Sequence, residues 1–205
     1  MNNILQFAGA LAGILQITGY WIYGKSSLAS DIKPNAASWA AWSFGSLINL
    51  VSYVSLTEGD WKKEVLPAAC SLSCITMTLV LYFKKHIHKP KEPWEWCAFG
   101  IDGIASIVFV VASNQPVLAN ALVQVGTVSS FVPTVRDTWV EPAGEKPKPW
   151  LVWSLAYGLL LTVVLLDEET SGKWSQAMYP ATCLILHALV AALATRKPDH
   201  RHPKG

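Results

Sequence analysis

The chain has 205 residues, of which 52% are hydrophobic and only 15% charged, with ten Trp and a formal net charge of +2. A soluble domain of this length carries about a quarter charged residues, so this composition argues against a water-soluble globular protein. No basic stripe of the kind that binds nucleic acid is present.

Seven apolar stretches divide the chain, at 4–23, 37–56, 65–83, 94–112, 117–135, 150–166 and 177–195. Each approaches the roughly 20 residues that a helix needs to cross the hydrocarbon. Short loops join them, and no room is left for a soluble domain. The first stretch has no Lys or Arg before it and no small-residue cleavage site, so it reads as a retained span rather than a signal peptide.

Orientation follows from the 16 Lys and Arg. Thirteen fall in the loops after spans 1, 3 and 5 and in the C-terminal tail, against Lys62, Lys63 and Lys173 on the other side. The positive-inside rule then places the N-terminus outside and the C-terminus in the cytoplasm.

The second and sixth spans open alike. "SWAAWS" (38–43) and "PWLVWS" (149–154) align Trp39, Trp42 and Ser43 with Trp150, Trp153 and Ser154 at an offset of 111. The third and seventh also open alike: "TEGDWKKEVLPAAC" (57–70) returns as "TSGKWSQAMYPATC" (170–183). Spans 1 and 5 align more weakly, with Lys25 against Arg136. Spans 1–3 and 5–7 are therefore expected to be two copies of one three-helix unit. Three crossings reverse the chain, so span 4 restores its direction and makes the copies parallel, related by a pseudo-two-fold along the membrane normal. The predicted architecture is an all-α membrane protein of 3+1+3 plan. Its parts are a first repeat (1–88), a linker helix (89–114), a second repeat (115–197) and a tail (198–205).

The repeated residues have structural roles. Trp61 and Trp174 suit the outer interface, Gly59 and Gly172 a tight turn, and Pro67 and Pro180 the first turns of spans 3 and 7. Ala68, Ala181, Cys70 and Cys183 permit close helix approach. Cys70 and Cys74 share a helical face, but no neighbouring His or acidic residue completes a metal site, so no metal and no cofactor is expected.

Layout and motifs together resemble the SWEET and PQ-loop-like superfamily. The resemblance is closer to an uncharacterised set of bacterial seven-helix membrane proteins with a Pro-x-x-x-Ser-Trp-x-x-Trp opening to span 2, here "PNAASWAAW" (34–42), and a Tyr-Pro-Ala opening to span 7, here "YPATC" (179–183). "FVPTVRDTW" (131–139) at the end of span 5 is of the same type. The chain departs from the superfamily where the Pro-Gln pair would fall: Ile22-Tyr23 and Pro133-Thr134 stand there. The inward Asn of each third helix aligns loosely with Cys74 and His187. The resemblance implies a multi-pass protein of the bacterial inner (plasma) membrane and a carrier fold.

Polar side chains at membrane depth must face the bundle interior or a partner. Asp102 is the one acidic residue well inside a span, and His187 lies at similar depth in span 7; both change charge on protonation and keep proton coupling open. Gln16, Asn49, Asn120, Gln124, Tyr157 and His187 are the candidate solute-binding residues, and Pro133 is the candidate hinge. Together they suggest a small uncharged cavity for a neutral polar solute; the same groups could instead cross-link helices. His86, His88, His200 and His202 fall in basic segments suited to a solvated cytoplasmic face or anionic lipid.

The leading expectation is a carrier of a small neutral solute working by alternating access. The alternative is a non-transporting partner or assembly protein on the same fold. Membrane lipids and a small solute are the expected partners, and a homo-oligomer stays open. An enzyme is not expected. A retinal protein would need a Lys in the last span, which has none, and only Asp102 and His187 could serve an intramembrane protease.

Overall fold

The computed structural model describes residues 2–32, 34–83, 93–111, 115–168 and 172–196. These form seven α-helices and one short 3₁₀ turn, with no strand among the described residues. The helices are α1 (Asn2–Leu28), α2 (Ala36–Thr57), α3 (Trp61–Phe83), α4 (Pro93–Val111), α5 (Pro116–Val140), α6 (Pro147–Leu166) and α7 (Lys173–Ala194); the 3₁₀ turn Pro142–Gly144 lies between α5 and α6.

Five of them, α1, α3, α5, α6 and α7, are long and apolar enough to cross a membrane. In α4 only Phe99–Val111 forms a shorter apolar stretch. Helix α2 is long enough, but Ser38, Ser43, Ser46, Asn49, Ser52 and Ser55 dilute its hydropathy. Most of those groups bond inside the bundle or within their own helix, so the polarity of α2 belongs to the interior.

The surface of α1 is the reverse of a soluble helix. Ile4, Phe7, Ile14, Ile17 and Trp21 point outward, while Gly9, Gly13, Gln16, Gly19 and Ser27 are buried. Large apolar groups outside and small or polar groups inside suit a lipid surround, where close packing replaces the hydrophobic effect between helices. The glycines are needed for that approach. A Cβ at Gly9 would stand 2.1 Å from the Lys62 carbonyl oxygen on α3, and one at Gly19 would stand 2.3 Å from Trp153 Nε1 on α6.

Helix packing has a regular pattern. Helix α3 lies against both α1 and α2, and α7 lies against both α5 and α6. Across the middle, α1 packs on α6 and α2 on α5. Exchanging α1 with α5, α2 with α6 and α3 with α7 leaves this set of neighbours unchanged. Helix α4 stands aside, against α5 and α2.

The repeated turns behave alike at their glycines. Gly59 (φ 81°) and Gly172 (φ 65°) both take the left-handed conformation just before α3 and α7. The prolines correct the expectation: α3 and α7 start at Trp61 and Lys173, so Pro67 and Pro180 lie inside the helices and not in their first turns. A proline there removes the bond to the carbonyl four residues earlier. At Pro180 that carbonyl belongs to Gln176, and it accepts the Tyr53 hydroxyl of α2 at 3.0 Å instead.

Candidate functional site

A cavity of about 50 Å³ lies where the six paired helices meet. Trp39, Trp42, Trp150 and Trp153 wall it together with Tyr20, Phe131, Tyr157 and Tyr179. The rings form one continuous network: Trp39–Trp42 5.3 Å, Trp42–Phe131 4.8 Å, Trp42–Trp150 6.0 Å and Trp150–Trp153 5.1 Å between centroids. His187 stands among them, 4.9 Å from Tyr157 and 5.0 Å from Phe131. Such edge-on and tilted pairs contribute about 0.5–1.5 kcal/mol each beyond their burial. The thiols Cys70, Cys74 and Cys183 complete the wall. Tyr20 Oη lies 2.7 Å from Cys74 Sγ and 3.3 Å from Cys70 Sγ. Among the described residues no carboxylate and no Lys or Arg lines this cavity.

Local sequence explains how the four Trp reach it. In W-x-x-W, two rings three residues apart fall on one helix face, and the following Ser bonds back to the carbonyl four residues earlier. Ser43 Oγ donates to Trp39 O at 3.0 Å, and Ser154 Oγ donates to Trp150 O at 2.8 Å. Three of the four indole N–H groups are satisfied. Trp39 donates to Tyr23 Oη (3.4 Å), Trp150 to Glu145 Oε2 (3.0 Å) and Trp153 to Gln16 O (3.1 Å). Trp42 Nε1 is buried with no partner among the described residues.

The candidate binding residues divide. Asn49, Tyr157 and His187 line the cavity. His187 Nδ1 sits 2.7 Å from the Cys183 carbonyl, which can only accept, so the proton is on Nδ1 and Nε2 is left as an acceptor. Tyr157 Oη accepts from Gln16 Nε2 and from Tyr179 Oη, both at 3.3 Å. Gln16 is therefore behind the wall, and its Oε1 is buried without a partner. On α5, Gln124 donates to Asn49 Oδ1 at 3.1 Å. Asn120 is fully buried, and neither its Oδ1 nor its Nδ2 has a partner among the described residues. Along the α2–α5 seam, Trp42, Asn120 and Gln124 thus hold hydrogen-bonding groups without a partner among the described residues.

Position 102 falls in α4, and the Asp102 side chain lies outside the described residues. Among the described residues α4 packs on α2 and α5 and not on α7, so its helix is not brought against that of His187. Pro133 is buried within a continuous α5. His86, His88, His200 and His202 lie outside the described residues.

Two polar clusters stand at opposite ends of the helices, and residue patterns had pointed to neither. At the turns before α3 and α7, Lys62 and Lys63 are buried and share Asp60 and Asp167. Their Nζ atoms lie 3.1 and 2.9 Å from Asp60 Oδ2, and 3.2 and 2.8 Å from Asp167 Oδ2. Lys63 thereby ties α3 to the end of α6. Gln176, its counterpart in the repeated phrase, ties α7 to the end of α2 by donating to Leu56 O at 3.2 Å. At the other end, Asn35 donates to Asp137 Oδ2 at 2.8 Å. There Glu145 accepts from Tyr23 Oη at 2.9 Å and from Trp150. Burial pushes the Glu145 carboxyl up to about 7. The bonds from Trp150 and Tyr23 oppose that shift, and the Asp137 charge adds to it.

No family model, curated protein or solved structure matches the chain. The arrangement of residues must carry the functional argument.

Proposed function

We propose that this is a seven-span membrane carrier of a small neutral polar solute. Two parallel three-helix units, α1–α3 and α5–α7, would rock about the aromatic cage, with α4 as the linker that keeps them parallel. The observation that carries this reading is the ring-walled cavity between the units, with the unpartnered Trp42 indole N–H on its wall and further unpartnered groups at Asn120 and Gln124 along the α2–α5 seam, among the described residues. A buried polar group without a partner costs about 1–3 kcal/mol. A chain that keeps several along one seam that reaches a cavity has a use for their free valences. The exchange symmetry of the helix neighbours supports two equivalent units. The wall, as its described residues form it, bears no charged side chain, which favours a neutral cargo. The basic loops favour an outside N-terminus in a plasma membrane.

The size of the cavity favours a second reading. About 50 Å³ is far below the several hundred Å³ of a typical ligand pocket, as in a non-transporting assembly protein with a filled axis. Uptake into proteoliposomes separates the two. Sugars, nucleosides, vitamins and zwitterionic amino acids are offered, and the carrier reading requires accumulation of at least one above empty vesicles. Trp42→Phe and Asn120→Leu should abolish it without reducing membrane insertion. Uptake that never exceeds empty vesicles overturns the carrier.

A further inference from the structure

Glu145 is a buried carboxylate joined by hydrogen bonds to both halves of the aromatic cage. Through Tyr23 Oη (2.9 Å), which also accepts Trp39 Nε1 (3.4 Å), it reaches the first Trp of α2; through Trp150 Nε1 (3.0 Å) it holds the first Trp of α6. Those two tryptophans are the repeat's equivalent residues, and both line the central cavity. On its other side Glu145 borders a separate cavity of about 310 Å³, lined also by Asn35, Thr134, Arg136, Asp137 and Glu141. One carboxylate thus stands between a polar vestibule and the ring network.

We propose that Glu145 is a proton-binding site that couples the vestibule at the α5–α6 loop to the aromatic cage. Its ionised form accepts two bonds and draws Tyr23 and Trp150 together across α1 and α6, which belong to different units. A proton taken from the vestibule neutralises the carboxylate and weakens both charge-assisted bonds. The rings at the loop end of the cage are then released. Among the described residues the groups facing it are few. Tyr23 approaches from α1, Asn35 from α2 and Trp150 from α6. Asp137, Arg136 and Glu141 stand on the α5 side. Lys146 and Lys148 follow in the chain and are exposed. Just past α7, Arg196 is engaged by Trp139, stacking over its ring and donating to its carbonyl. The Asp137 charge and the burial of Glu145 both favour the neutral carboxyl, which brings the transition to about pH 7. What the switch controls rests on the carrier reading; the proton site itself does not.

The test reads intrinsic tryptophan emission of the full chain in lipid nanodiscs from pH 5 to pH 9, with infrared difference spectra over the same range. The expected result is an emission change centred near pH 7, with a carboxylic-acid C=O band that disappears as pH rises. Glu145→Gln should abolish both, and Glu145→Asp should shift the midpoint. If Glu145→Gln does not fold, the wild-type infrared band and the Glu145→Asp shift decide. An emission and infrared titration unchanged by both variants overturns the proposal. A titration lost in Glu145→Gln supports the proton site even where the protein moves no solute. Solute uptake whose pH profile is the same in wild type and Glu145→Gln overturns the coupling while leaving the carrier intact.

Discussion

Trp42 and Trp153 hold matching places in α2 and α6, 111 residues apart, yet only one is satisfied. Trp153 Nε1 donates to the Gln16 carbonyl on α1 at 3.1 Å, whereas Trp42 Nε1 is buried without a partner beside α5. The α1–α6 seam holds this bond and Gln16 to Tyr157, with one unpartnered atom, Gln16 Oε1, among the described residues. The α2–α5 seam keeps free valences. The unmatched indole N–H therefore belongs to the α2–α5 seam.

That asymmetry predicts opposite responses to one substitution. Trp42→Phe removes an unsatisfied donor, so it should leave thermal stability unchanged or slightly raised. Trp153→Phe leaves the Gln16 carbonyl without that indole donor and should cost about 1–3 kcal/mol. Thermal unfolding of both variants in the same detergent checks the ordering.

The buried ionic group gives a second prediction. Asp167→Ala removes one of the two carboxylates holding Lys62 and Lys63. Breaking a buried pair from one side costs about 3–5 kcal/mol. The double variant Lys62→Met with Asp167→Asn leaves Lys63 with Asp60 and should recover part of that loss. Equal unfolding midpoints for wild type and Asp167→Ala would show that the group contributes nothing.

Pro180 and Tyr53 form a testable cycle. Tyr53→Phe should destabilise by about 1 kcal/mol, because the Gln176 carbonyl freed by the proline loses its hydroxyl donor. In a Pro180→Ala background the helix supplies its own donor, and Tyr53→Phe should cost much less. Additive effects in the double variant would contradict the account.

Glycine substitutions should sort by what the new Cβ meets. At Gly9 it meets a backbone carbonyl that cannot move aside, so Gly9→Ala should cost about 1–3 kcal/mol. At Gly158, in α6, nothing lies within 4 Å, and Ala should gain up to about 1 kcal/mol from helix propensity. The difference in unfolding midpoint between the two variants is the measurement.

Much of the fold was legible in the sequence because it rests on local pattern. W-x-x-W with its following Ser sets a ring pair on one helix face, and Gly59 and Gly172 announce their turns. The helix starts were less legible. Pro67 and Pro180 suggested first turns, but Trp61 and Lys173 begin helices that tolerate an interior proline, in α7 because Tyr53 supplies the missing partner. For the site, Asn49, Tyr157 and His187 were visible as polar groups in apolar runs. Glu145 was not. It lies between prolines and lysines in a loop, and only the fold brings Tyr23, 122 residues away, onto its carboxylate. The Lys62, Lys63 and Asp167 group was hidden for the same reason: each residue alone reads as an exposed charge beside a helix end.

Alternate opening of the two ends of the cavity is the central claim, and paired spin-label distances test it most directly. Labels at the exposed positions Glu58 and Glu168 report one end, and labels at Ser30 and Lys148 report the other. The exposed Cys97 is first replaced by Ser. The account predicts that a transported solute changes the populations at both ends in opposite senses, one pair lengthening as the other shortens. A single unchanging distance at each end, with and without every solute tested, would contradict it.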